Sequence, residues 1–187
     1  MKILLGLGSR ARVGKDYACT ELSKVYDVER VAFADALKGD LAKLFEANGF
    51  NLNDLLSVPS TKEMVRPLLI EYGQLMRKLK PDIWIQRAFN KKSLTCELTI
   101  VTDVRFPNEV EVIQNMGGYY VEIKTDLEPA NEVEALFSPQ MAGLADFTIE
   151  NNFNGEYINS MVDLVEQLRH DGSSKKDKKS HVLRKKV

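Results

Sequence analysis

KILLGLGSRARVGKD, residues 2–16, is the stretch on which the fold turns. The apolar run Ile3 to Leu7 reads as a short buried β-strand. Gly8 to Val13 then forms a loop, and Gly14-Lys15 opens a helix that continues through Tyr17, Ala18 and Leu22. Strand, glycine-bearing loop, Gly-Lys and helix is the layout of a phosphate-binding P-loop. The first N–H groups of a helix have no internal partner, and with the helix dipole they attract an anion. A lysine there can reach the β- and γ-phosphates of a nucleotide. On this reading the donor cradle is Ser9, Arg10, Ala11, Arg12, Val13, Gly14, Lys15 and Asp16. Ser9 stands where the pattern has its first glycine, and Asp16 where it has Ser or Thr. A carboxylate at Asp16 can hold Mg²⁺ directly or through water. The competing reading is a tight strand-to-helix turn with a surface lysine.

Composition narrows the classes. A chain of 187 residues is long enough for one three-layer α/β core. Its N-terminal apolar run is too short for a signal peptide, and no stretch approaches the ~20 apolar residues of a membrane span. Cys19 and Cys96 are too few for a disulfide framework, which suits a cytoplasmic setting. Both histidines, His170 and His181, fall in the last 18 residues, so chemistry inside the domain must use Asp, Glu, Lys, Arg and bound metal. The net charge of −1 hides an asymmetry. Residues 172–187 hold six Lys, one Arg and one Asp, for +6, while the preceding part has 19 basic and 26 acidic residues, for −7. An acidic body offers no dedicated nucleic-acid surface. The segment 171–187 reads as a basic, disordered tail outside a domain of residues 1–170.

Further along, strands are predicted at 27–33, 98–101, 119–123 and 147–149, alternating with helices. That order means an α/β fold, a central parallel sheet of about five strands with helices on both faces. Residues 34–95 are an almost wholly helical insertion, where a second substrate would be held. Within it, Ser60 and Glu63 read as a capping box, and Pro67 restarts the helix. Leu68, Leu69, Tyr72, Leu75, Met76 and Leu79 fall on one face. Residues 125–146 read as irregular or weakly helical, a candidate lid.

Several side chains could carry chemistry. Asp103 ends an apolar strand, the place where a P-loop protein carries its second Mg²⁺ carboxylate; it could also cap the next helix. Arg105 on the same rim either clamps a phosphate or pairs with Asp103 or Glu109. Arg66 and Arg77 share a helical stripe with Gly73, which either lets a ligand approach the backbone or is a solvated polar face. Asp35 is either a helix cap or a group near the acceptor, and Lys38 is equally open. Trp84 is either core or a stacking platform.

Together, R-V-G-K-D at 12–16, FADALK at 33–38, LLIEYGQLMRKLKPDIW at 68–84 and TDVRFPNE at 102–109 resemble the bacteriophage deoxynucleoside monophosphate kinases. The resemblance covers about residues 1–170 and includes ADFTIENN near the end of the domain. It implies transfer of the γ-phosphoryl group of ATP, with Mg²⁺, to a deoxynucleoside 5′-monophosphate in the cytoplasm of a host cell. It implies Lys15, Arg77, Asp103 and Arg105 as catalytic groups, and Asp16 and Asp103 at the metal. Asp35, Lys38, Arg66, Gln74, Arg77, Trp84 and Arg105 fall on the substrate side. A homodimer is compatible with the sequence. The alternatives are a kinase for another small acceptor, such as dephospho-coenzyme A, or a nucleotide-binding protein without transfer activity. One departure stands out: residues 125–146 carry five acids and no Lys or Arg, so Arg10, Arg12, Arg66, Arg77 and Arg105 must supply the positive charge.

Removing residues 172–187 is expected to leave folding and turnover intact. A loss in kcat/KM of more than about tenfold in the shortened chain would show that the tail packs on the domain.

Overall fold

The computed structural model of the chain describes residues 2–8, 10–90, 94–129 and 132–183, the last stretch without the side chains of 133 and 172–183. The chain divides into two compact units, Met1–Arg30 with Leu94–Val187, and Val31–Ser93.

The first unit is built on a five-stranded sheet in the order β2-β3-β1-β4-β5. Its strands are β1 (Ile3–Gly8), β2 (Val28–Val31), β3 (Leu98–Val101), β4 (Tyr119–Lys124) and β5 (Phe147–Glu150). β1 pairs in parallel with β3 and β4, and β4 with β5. Alternation along β1 sends its residues to opposite faces. Ile3, Leu5 and Leu7 enter a core shared with α1 (Lys15–Leu22) and with α8 (Tyr157–Leu183), through Ala18, Leu22, Met161 and Val165. Gly6 and Gly8 look the other way. A Cβ on Gly6 would stand 2.6 Å from Cδ1 of Ile113 on α6 (Pro107–Asn115). The sheet therefore has helices on both sides, as expected from the strand–helix alternation.

Two elements differ from the sequence reading in this unit. Residues 125–146, read as irregular or weakly helical, contain the helix α7 (Glu132–Gly143), continuous across Pro139. α8, expected to stop near Arg169, continues to Leu183 through most of the segment read as a disordered tail. No proline interrupts it, and its lysines are good helix formers. Residues 184–187 lie outside the described residues. Among the described residues, no helix is long and apolar enough to cross a membrane.

The second unit is helical: α2 (Phe33–Glu46), α3 (Leu52–Ser57), α4 (Pro59–Leu79) and α5 (Ile83–Asn90). Asn51 caps α3 by accepting from the N–H groups of Asn53 and Asp54 at 2.9 and 3.4 Å. The expected capping box at Ser60 and Glu63 does not form. α4 begins one residue earlier at Pro59, a first-turn proline, and Pro67 lies inside the helix. The apolar face of α4 also differs from the expectation. Of the expected face, Leu69, Tyr72 and Met76 are half-buried but Leu68, Leu75 and Leu79 are exposed, while Val65 and Gly73 are buried. The cause is close packing: a Cβ on Gly73 would lie 2.7 Å from Cδ1 of Leu37, and the Gly73 carbonyl accepts from the Trp84 indole at 3.2 Å. Gly73 thus seats α4 against α2, which corrects its reading as an opening for a ligand.

Gly8 sits at the entrance to the phosphate loop. A Cβ there would fall 2.9 Å from the Val104 carbonyl oxygen and 2.5 Å from the Tyr120 hydroxyl. Gly8→Ala is expected to destabilise the protein by roughly 1–3 kcal/mol, since backbone on one side cannot yield. Denaturant midpoints at constant slope will measure it.

Candidate functional site

The loop between β1 and α1 is shaped by two residues in the left-handed region, Arg12 (φ 63°) and Gly14 (φ 93°). Gly14 is the cap before Lys15. Any side chain there would be strained, and its Cβ would strike the Tyr157 hydroxyl at 2.5 Å and Nδ2 of Asn151 at 2.9 Å. Those two side chains are what hold the loop. Tyr157 Oη donates to the Gly14 carbonyl at 3.0 Å, and Asn151 Nδ2 donates to the Val13 carbonyl at 3.1 Å. Val13 is fully buried beneath them. The loop is thus pinned through its Val13 and Gly14 carbonyls.

Lys15 opens α1 and is 8% exposed. Its Nζ donates to the carbonyl of Arg10, across the mouth of the loop. Burial pushes its pKa down to about 8 from 10.5. The Arg105 guanidinium adds to that, and Glu134, Asp16 and Asp103 oppose it. Asp103 and Arg105 follow β3 and lie on the rim beside the loop. Arg105 pairs with Glu134 at 3.5 Å. Glu109 instead accepts from the backbone N–H groups of Arg105 and Phe106, at 2.7 and 3.1 Å, and so shapes the turn that carries Arg105. Asp16, in the first turn of α1, is exposed and 3.6 Å from Arg30.

Glu134 was not legible as a site residue. It is buried at 6% exposure, and its Oε1 accepts from the Ala11 N–H at 3.1 Å. Arg10 reaches the same helix. Its Nε donates to Ser138 Oγ at 3.4 Å, and its Nη1 to the Leu127 carbonyl at 2.7 Å. Beside Arg10 lies a pocket of about 450 Å³ whose lining includes Glu122, Lys124, Ser138, Glu150 and Asn152. Burial pushes the Glu122 carboxyl up.

Of the predicted donor-side residues, the fold brings Arg10, Ala11, Lys15, Asp103 and Arg105 to one place. Arg12 is exposed on the loop, and the Ser9 expectation lies outside the described residues. Among the described residues no cluster of three or more His, Cys, Asp or Glu could hold a metal by itself. Asp16 and Asp103 are nevertheless a donor set that suits Mg²⁺, which takes one or two carboxylates and fills its remaining positions with phosphate and water. Both carboxylates are near enough to oppose part of the fall in the Lys15 pKa.

The acceptor-side candidates of the second unit are dispersed along its helices. Asp35 is 3.6 Å from Lys38 on α2. Arg66 is exposed and 3.7 Å from Glu63, Gln74 is exposed, and Arg77 is half-buried. Trp84 is 1% exposed, with Tyr72 against its ring at 5.8 Å and the Arg87 guanidinium at 5.6 Å. Of its two readings, Trp84 takes the core one; no ring face is left for a substrate.

A phosphate loop on the central strand of a parallel α/β sheet defines the P-loop NTPase fold. Residues 7–118 match the phosphomevalonate kinase family, and the chain belongs to that family. Over 119 residues it is 27% identical to the "Uncharacterized protein ORF77" of Ictalurid herpesvirus 1 (strain Auburn), a stretch that is 60% of this chain and 46% of that protein. The chain thus spans about half the length of the curated relative it matches. It is similar to the solved dephospho-CoA kinase from Campylobacter jejuni, with a TM-score of 0.48 and 13% identity, covering 92% of this chain and 100% of that one. It is similar also to a shikimate kinase from Bacteroides thetaiotaomicron, with a TM-score of 0.45 and 12% identity, covering 90% and 98%. The family match ends before β4, so Glu134, Asn151 and Tyr157 lie beyond it.

Burying Lys15 has a stability cost of definite sign. Below pH 8 the lysine is charged in both folded and unfolded chains, and the folded state bears the full cost. Between pH 8 and 10.5 the folded chain releases the proton first, so the unfolded chain binds more protons and stability rises with pH. Lys15→Met is expected to melt about 5 °C or more above the wild type at pH 7. The gap should narrow toward pH 10. Thermal melts of the two proteins across that range will test this.

Proposed function

We propose that the chain transfers the γ-phosphoryl group of ATP to a small phosphomonoester, and that deoxynucleoside 5′-monophosphates are its acceptors. The observation that carries the reading is the convergence of the Ala11 N–H and Arg105 on one carboxylate, that of Glu134, at the mouth of the loop that Lys15 closes through the Arg10 carbonyl. Groups that gather around a carboxylate there can gather around a phosphate. Phosphoryl transfer asks for in-line positioning and charge neutralisation more than for covalent work by the protein. Loop amides and Lys15 would hold the donor triphosphate, and Arg105 would neutralise charge on the transferred group. Asp16 and Asp103 would hold Mg²⁺, which when bound offsets charge on the β- and γ-phosphates. The acceptor assignment is supported by the segments that resemble the phage enzymes, FADALK, LLIEYGQLMRKLKPDIW and DVRFPNE.

A second reading takes phosphomevalonate as the acceptor, favoured by the family match over residues 7–118. Both readings share a phosphomonoester acceptor. A coupled ADP-release assay over the four deoxynucleoside monophosphates, phosphomevalonate and dephospho-coenzyme A decides between them. Turnover on phosphomevalonate alone would replace the first reading. ATP binding without turnover on any acceptor would remove both.

Arg66 and Arg77 are the proposed acceptor-phosphate groups. An arginine fork makes two parallel hydrogen bonds to a phosphate dianion that lysine does not reproduce. Arg77→Lys is expected to raise KM for the monophosphate or lower kcat, with ATP affinity in the absence of acceptor unchanged. Full activity in the Arg66→Ala/Arg77→Ala double variant would move the acceptor phosphate to Arg105 and the segment from Asp35 to Lys38.

A further inference from the structure

We propose that Glu134 is a built-in competitor for the phosphate site: α7 presents its carboxylate to the loop where a terminal phosphate would bind, so nucleotide entry requires α7 to withdraw. The inference rests on the phosphoryl-transfer reading and adds its regulation.

Two contacts place the carboxylate in the cradle. Oε1 of Glu134 accepts from the Ala11 N–H at 3.1 Å. The Arg105 guanidinium lies 3.5 Å away on the rim. These are the groups assigned above to the triphosphate. A carboxylate and a phosphate cannot occupy one such cradle, because both are anionic and both need the same donors.

The segment holding Glu134 is fastened to the loop by other contacts as well. Ser138 Oγ donates to the Glu134 carbonyl at 2.6 Å and accepts from Arg10 Nε at 3.4 Å. Phe137 meets Phe106 edge-on, with centroids 5.2 Å apart, and Met141 is fully buried. α7 therefore has apolar anchors at its centre and an acidic end over the loop. Pro139 removes one backbone hydrogen bond from the middle of the helix, which eases bending there. α7 contains no Lys or Arg. In its present position it therefore offers the loop an anion and no cation that could grip a phosphate. A helix so charged competes with nucleotide rather than closing over it.

The test is binding of Mg²⁺–AMP-PNP to the full chain, in wild type, Glu134→Gln and Glu134→Ala, with melting temperatures as a check of folding. Glu134→Gln is expected to bind about tenfold more tightly than wild type, the worth of one charge-assisted hydrogen bond no longer displaced. Glu134→Ala should bind at least as tightly as the glutamine variant. In wild type, amide hydrogen exchange over residues 134–143 should speed up when AMP-PNP binds. Equal or weaker binding by both folded variants would overturn the proposal, since a residue that merely positions Arg105 would behave that way. Slower exchange in α7 on nucleotide binding would also overturn it, and that readout decides alone if the variants do not fold. Tighter binding by the variants with no turnover on any acceptor would keep the competitor and remove the transfer reading. No binding by any of the three proteins would remove both.

Discussion

The lysine that opens α1 sets the terms for the rest of the first unit. Lys15 is buried, so its ammonium has lost most of its water, and burial alone destabilises the charged form. Partial compensation comes from the Arg10 carbonyl and from the carboxylates of Glu134, Asp16 and Asp103. Such an arrangement is poor for stability and well suited to binding an anion, which restores what the lysine lacks. The site is held in a state of electrostatic need by the fold around it.

That fold must keep the loop rigid. The three levels involved are the strand that feeds it, the helix that follows it and the side chains beneath it. β1 lies in the middle of the sheet, paired on both edges, and its glycines allow Val104, Ile113 and Tyr120 to come close on one face. Leu5 and Leu7 anchor the other face against α1 and α8. Asn151 and Tyr157 then fix the loop carbonyls from below. On the other side of the loop the Ala11 N–H is taken by the Glu134 carboxylate.

In the second unit the packing solution is different in kind. α4 approaches α2 through Gly73, the Gly73 carbonyl binds Trp84, and Asp40 is bound by both Arg87 and the Tyr72 hydroxyl at 3.2 Å. The core of this unit is therefore held by the polar ends of Trp84 and Tyr72 and by an ion pair, as well as by burial. Arg66 and Gln74 remain on the exposed surface of α4.

Local sequence determined the strand–loop–helix at residues 3–22, the strand at Leu98–Val101, the helix begun by Pro107 and the alternation that makes the sheet parallel. Each of these follows from signals within a few residues: an apolar run, a Gly-Lys pair, a proline at a first turn. Sequence also marked Lys15, Asp103 and Arg105 as groups at the ends of buried elements, which is where such chemistry is placed. It revealed the face that α4 buries only in part: Leu69, Tyr72 and Met76 are half-buried, but Leu68, Leu75 and Leu79 are exposed, because the close approach through Gly73 sets which side meets the neighbouring helix. Nor did it reveal Glu134, Asn151 and Tyr157, whose partners in the loop are 123, 138 and 143 residues away. Periodicity carries no information across such distances. What tertiary structure alone decided is which distant polar atoms close the phosphate loop, because hydrogen-bond partners are chosen by position in space after the sheet has formed.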